Sequence, residues 1–287
     1  MSLDDMTFDL QRPEGWAGGV IFASPHSGRC YPQWFLAESR LDPQNLRSSE
    51  DAFVDRLIAP ALDHGAVVLT ARVPRCVVDL NRGPDEIDPL VVAGAVPRVM
   101  SPRIMAGLGV IPRVVSQGRV IHDRPIAREE ADHRIARLWH PYHQALSALI
   151  DESLRRFGGA ILVDMHSMPR DALAHLPRPR PDFVLGDRNG VSASPRITKE
   201  VVSAVTAEGF RVQKNTPFSG AYITAAYGKP TRNVHVVQLE LDRSLYMDEK
   251  KIEPRPDFDV FAARFSRIVE RLAQLRPDDC QRAIAAE

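Results

Sequence analysis

The 287-residue sequence has only three cysteines, Cys30, Cys76 and Cys280, and no Cys-x-x-Cys pair. A disulfide framework is not expected from so sparse and odd a set, and the cytoplasm is the expected compartment. No run of ~18 apolar residues is present, so no membrane span is expected. Residues 1–5, Met-Ser-Leu-Asp-Asp, lack a basic stretch followed by an apolar one, and no signal peptide is expected. Charge of either sign is not in excess: Lys+Arg and Asp+Glu are both 37. That balance gives no overall attraction to nucleic acid or anionic membrane, and neither is expected as a partner. A local basic cluster could still hold a small charged substrate. There is no Gly-x-Gly-x-x-Gly, phosphate-binding loop or Gly-x-Ser-x-Gly elbow, so neither a nucleotide cofactor nor a serine hydrolase is supported.

What is present is an alternation of apolar runs with helical periodicity, which favours an α/β layered domain. Strands are expected over residues 19–24, 66–73, 76–80, 159–164, 182–185, 210–214 and 234–241. Several are apolar throughout, as strands buried on both faces should be. A helix is expected to open at Ser48, with Asp51 completing a capping box, and to end at Gly65. A longer helical region over 128–156 should bend near Pro141. Ser194-Pro195 should open a helix toward residue 205, and 258–275 reads as the last. Residues 83–125 are rich enough in Pro and Gly for a long excursion over the sheet, and 168–182 form a Pro/Arg loop. Neither resembles an interdomain linker, so residues 1–287 are expected to form a single domain.

Two histidines fall where two strands end: His26 in "ASPHSGRC" and His166 in "ILVDMHSMP". Ligands of open α/β sheets bind beyond the carboxyl ends of strands, so both are candidate metal ligands, with a turn-capping histidine the alternative for His26. Asp164 could orient His166 from behind. Hydrolytic zinc commonly takes two His and a carboxylate and leaves one position for water. Glu50 and Asp51 are the nearby acids, although either could serve only the helix terminus. Asn81-Arg82 follows an apolar run and puts a fork of donors at the sheet's edge, suited either to a carboxylate or to a salt bridge with Asp79 or Asp85. Glu240 lies in the otherwise apolar "VVQLELDRSLY", where it either pairs with an arginine such as Arg243 or performs acid/base work. His140-Pro-Tyr-His143 has ligand spacing but no suitably placed carboxylate, and is read as packing.

In order along the chain, "SPHSG", "DLNRGPD", "DMHSMP", "PFSGAYITAAYGKP" and "QLELDRSLYMDE" resemble the N-formylglutamate amidohydrolase family. The resemblance spans about residues 20–250, and five ordered motifs are specific where any one would be weak. It implies a relation to the zinc carboxypeptidases and aspartoacylases: a three-layer α/β/α fold with a mixed, mostly parallel central sheet. It also implies one zinc ion and hydrolysis of a small acidic N-acyl amino acid, with N-formyl-L-glutamate and water giving formate and L-glutamate. On that resemblance His26 and His166 are the first and last metal ligands. Asn81, Arg82 and Arg243 bind substrate carboxylates, and Glu240 activates the attacking water. The carboxypeptidases' glutamate ligand, three residues after the first histidine, is replaced here by Arg29, which cannot ligate zinc. Asp51 is taken as the carboxylate ligand and Glu50 as the fallback. Action on another N-acyl amino acid is the near rival. A non-catalytic metal-binding protein is the distant one, and Glu240 argues against it.

Overall fold

The computed structural model describes residues 7–96 and 101–277. Seven strands form the central sheet: β1 (Phe8–Gln11), β2 (Val20–Ser24), β3 (Val67–Ala71), β4 (Ala160–Met168), β5 (Phe183–Gly186), β6 (Val212–Lys214) and β7 (Val234–Asp242). Their order is β1-β3-β2-β4-β7-β5-β6. The β3-β2-β4-β7 centre is parallel throughout, while β1 and the β5-β6 pair run the other way, giving a mixed, mostly parallel sheet.

Alternation along β2 and β4 divides the core into two layers. Ile21, Ala23 and Leu162 pack on one face with Tyr142, Leu146 and Leu149 of a helix. Val20, Phe22, Ile161 and Val163 pack on the other with Ile197, Val201, Phe265 and Val269. Nine α-helices are found among the described residues: α1 (Gln33–Glu38), α2 (Pro43–Arg47), α3 (Val54–Ile58), α4 (Pro102–Met105), α5 (Arg128–Arg134), α6 (His140–Phe157), α7 (Pro195–Thr206), α8 (Tyr222–Tyr227) and α9 (Phe258–Ala273). Helices thus cover both faces of the sheet, the three-layer arrangement expected. No helix among the described residues is long and apolar enough to cross a membrane.

The bend at Pro141 takes the form of a single π-helical turn, Ile135–Trp139, between α5 and α6. Proline has no N–H for the carbonyl four residues back, and the widened turn accommodates its ring. The carbonyl concerned, Arg137 O, accepts from the Thr7 hydroxyl instead (3.3 Å). Ser194 caps α7 as expected, accepting from the Ile197 amide. His143 stacks on Trp139, and its Nε2 lies 2.9 Å from Leu80 O.

Three expectations need correction. Residues 76–80 are not a strand but a chain of turns, with the Val77 amide donating to Pro74 O and the Asp79 amide to Val110 O. Val77, Val78 and Leu80 are apolar because they are buried, and burial alone does not require a ladder partner. The edge strand β1 is not among the expected strands; its alternation, Phe8-Asp9-Leu10-Gln11, covers only four residues that are mostly exposed. The capping box at Ser48 does not form. Ser48 ends α2, its hydroxyl donating to Asn45 O (2.6 Å), and α3 begins only at Val54.

Candidate metal centre and cavity

Failure of that cap frees Asp51 for the site. Its amide donates to His26 O (3.0 Å), which ties the turn before α3 to the loop after β2. Gly28 permits that loop to pass hard against its neighbour: a Cβ there would lie 2.0 Å from Val73 O. His166 lies near the carboxyl end of β4, and its register partner on parallel β7 is Glu240. Residues from the carboxyl ends of three adjacent parallel strands therefore meet on one face.

His26, Asp51 and His166 are all buried, with one ligand atom from each within 4.8 Å of the others. Asp51 Oδ2 lies 3.0 Å from His166 Nδ1 and 3.5 Å from His26 Nδ1. The opposite nitrogens are held from behind: His26 Nε2 is 2.7 Å from Asp79 Oδ1, and His166 Nε2 is 3.1 Å from Asp164 Oδ2. A carboxylate behind each imidazole is the arrangement that orients metal-bound histidines, and at His166 the Asn81 Nδ2 also lies 2.9 Å from the same Nε2. His26 Nδ1 is buried with no hydrogen-bond partner. An orphaned nitrogen lone pair, a second Nδ1 and a carboxylate oxygen around one point fit a divalent metal of the borderline kind.

The charges of the group support one another. Burial opposes ionisation of Asp51, yet His166 and His26 outweigh it and hold the carboxyl well below its ordinary range. Burial likewise opposes a charged His166, but Asp164 and Asp51 raise it well above the usual imidazole value. Asp79 is kept ionised by Arg75, His26 and Arg82 against the cost of its burial.

The two Asp51 oxygens have different neighbours. Oδ1 accepts from Arg243 Nη2 (3.0 Å) and from the Ser167 hydroxyl (3.1 Å), while Oδ2 faces the histidines. Arg243 is itself immobilised, its Nε donating to Ser167 Oγ and its Nη1 to Ser48 O. It borders the cavity but braces Asp51 rather than standing free. Asn81 is similarly engaged: its Oδ1 accepts from the Ile223 amide (2.8 Å) and its Nδ2 donates to Asp164 (3.1 Å). Glu50 stands outside the group, accepting from Tyr31 (2.7 Å) and Arg47.

A cavity of about 510 Å³ opens over these residues. Glu240 lines it and accepts from Gln238 Nε2 (2.8 Å). Burial is the main influence on its carboxyl; with Asp51 and Asp164 it outweighs His166 and Arg75 and raises the pKa to about 7. Arg82 also lines the cavity, as do Arg75 and Arg103, two residues the sequence reading passed over. Arg75 follows a proline and its side chain reaches forward to Asp79 (2.8 Å), while Arg103 lies in a segment without periodicity. No local pattern singled out either.

The profile of the N-formylglutamate amidohydrolase family matches residues 18–247. An N-formylglutamate deformylase of Pseudomonas putida is 37% identical over 239 residues, covering 80% of this chain and 82% of its own. That of Pseudomonas aeruginosa is 35% identical over 236 residues, covering 80% and 83%. The crystal structure of an N-formylglutamate amidohydrolase from Ralstonia eutropha superposes with a TM-score of 0.88 at 34% identity, over 93% of this chain and 97% of that one. The chain belongs to the N-formylglutamate amidohydrolase family and is an amidohydrolase acting on a linear amide.

Proposed function

We propose that this protein is a zinc-dependent N-formyl-L-glutamate hydrolase, acting as one amidohydrolase domain and releasing formate and L-glutamate. The observation that carries the reading is the convergence of His26 Nδ1, Asp51 Oδ2 and His166 Nδ1 beside a buried carboxyl, Glu240, at one cavity. The names of the relatives supply the substrate. Zinc held by those three atoms would polarise the formyl carbonyl and lower the pKa of water toward ~7.

Glu240 is the base. With a pKa of about 7 it takes a proton from the attacking water at neutral pH and returns it to the departing amine. Water thus adds to the formyl carbon, the C–N bond breaks, and the nitrogen leaves protonated. Arg75 lines the cavity, and its charge acts on both Asp51 and Glu240, which suits it to steady negative charge on the carbonyl oxygen. Arg82 is the carboxylate grip. Arg243 and Asn81 position the centre, the first through Asp51 and the second through Asp164.

The test measures metal content and formate release from N-formyl-L-glutamate in one preparation. Chelation should abolish turnover, and one equivalent of zinc should restore it. Full activity in metal-free protein would refute the zinc reading. No activity on N-formyl-L-glutamate, with turnover of N-acetyl or N-aspartyl substrates, would refute the substrate.

A further inference from the structure

Four arginines line the cavity, and two have acidic partners within the protein: Arg75 pairs with Asp79, and Arg243 with Asp51. Arg82 and Arg103 form no ion pair among the described residues. Arg82 is held by neutral acceptors, its Nε donating to Leu108 O (2.9 Å) and its Nη1 to Asn81 O (2.8 Å). Those bonds fix the direction of the fork, and no carboxylate among the described residues pairs with it at close range. Arg103, in the first turn of α4, makes one 3.4 Å contact from Nη2 to Gly220 O.

The two arginines belong to one rim. The Leu108 amide donates to Arg103 O (2.9 Å), and the Leu108 carbonyl is the acceptor for Arg82. Their charges act on one another: burial lowers the Arg82 pKa, Asp79 and Glu86 oppose that, and the neighbouring Arg75 and Arg103 add to it. Unpaired like charges around a cavity are unfavourable until an anion arrives. The carboxylates that line it are three, Asp51, Asp79 and Glu240, against four guanidinia, and a bound divalent ion would widen the positive excess.

We propose that Arg103 determines specificity for an acidic side chain: Arg82 takes one carboxylate of the substrate and Arg103 the second. The inference rests on the hydrolase reading above and adds to it the residue that distinguishes a dicarboxylate from its neutral isosteres. The roles follow from placement. Arg82 is buried and rigid, which suits bidentate grip of the carboxylate nearer the scissile bond. Arg103 is exposed and lines the cavity, which suits its long side chain to the far end of the substrate.

The experiment compares kcat/KM for N-formyl-L-glutamate and N-formyl-L-glutamine in the native enzyme, Arg103→Met and Arg103→Lys. Arg103 is exposed, so its replacement leaves folding intact. The native enzyme should prefer glutamate, and Arg103→Met should erase about 10- to 100-fold of that preference, chiefly through KM. Arg103→Lys should restore part of it, since charge returns without the fork. An Arg103→Met enzyme that keeps the native preference, or loses equally on both substrates, overturns the inference while leaving the hydrolase reading in place. If the native enzyme hydrolyses neither substrate, the hydrolase reading falls and calorimetry decides the arginine pair. Glutarate should then bind the native protein more tightly than its monoamide does, and Arg103→Met should remove the difference. Equal glutarate affinity in native and variant protein overturns the inference by itself.

Discussion

Glu240→Gln should make the protein slower and, at alkaline pH, more stable. The substitution preserves the size of the side chain and its acceptor for Gln238 Nε2, but removes the group that can take a proton. General-base assistance is typically worth ~10²–10⁴-fold, so kcat should fall by about that factor, or about 3–5 kcal/mol in the barrier. Stability moves the opposite way because the pKa of Glu240 is raised from its ordinary 4.5 to about 7. A carboxyl that holds its proton more tightly when folded contributes stability that is full below pH 4.5. That contribution is lost as pH rises through about 7, where the fold must accept a buried charge. The cost above pH 7 is on the order of 3 kcal/mol, and glutamine does not incur it. In metal-free protein, urea midpoints of variant and native should coincide near pH 4.5, and the variant should lead at pH 8. Arg243 cannot reverse that sign by losing a partner, because its partner is Asp51. A lower midpoint for the variant at pH 8 would refute the burial argument, and near-native turnover with metal bound would remove Glu240 from the mechanism.

Arg82→Lys keeps the charge but loses the fork and should raise KM for N-formyl-L-glutamate by about 10-fold or more; unchanged kinetics would mean that Arg82 only braces the fold. Arg243→Met leaves Asp51 Oδ1 with Ser167 alone and should weaken metal binding about 10- to 100-fold in chelator competition, as loss of an outer partner typically does. Native affinity in that variant would show that Arg243 does not orient the ligand. Gly28→Ala places a methyl against Val73 O and must displace the loop that carries His26, at a cost of about 1–3 kcal/mol. A native urea midpoint for that variant would refute the close-approach argument.

The layered fold was legible because β2, β4 and β7 carry apolar residues on both faces, which a sheet covered on both sides requires. Both histidines were legible from their position just after such runs. Asp51 was harder. Ser48 and Asp51 satisfy the local rule for a helix start, and a contact 192 residues away, from Arg243 to Asp51, is stronger than that rule. Residues 76–80 failed for a related reason: burial produces the same apolar run whether or not a neighbouring strand exists. Arg75, Arg103 and the bracing role of Asn81 depend on where aperiodic segments travel in space. Periodicity, the chief local signal, is silent about such segments.

The register of β4 against β7 sets His166 directly opposite Glu240, with the backbone ladder between parallel strands as the ruler. Arg103, by contrast, is carried by the excursion between residues 83 and 125, well outside that ladder. On the roles proposed above, reaction chemistry and substrate choice are housed in separable parts. Relatives could lengthen, shorten or rewrite the excursion and change what is accepted, without disturbing the spacing between ligand and base. An engineer seeking a new acyl amino acid would transplant that segment and leave the sheet alone.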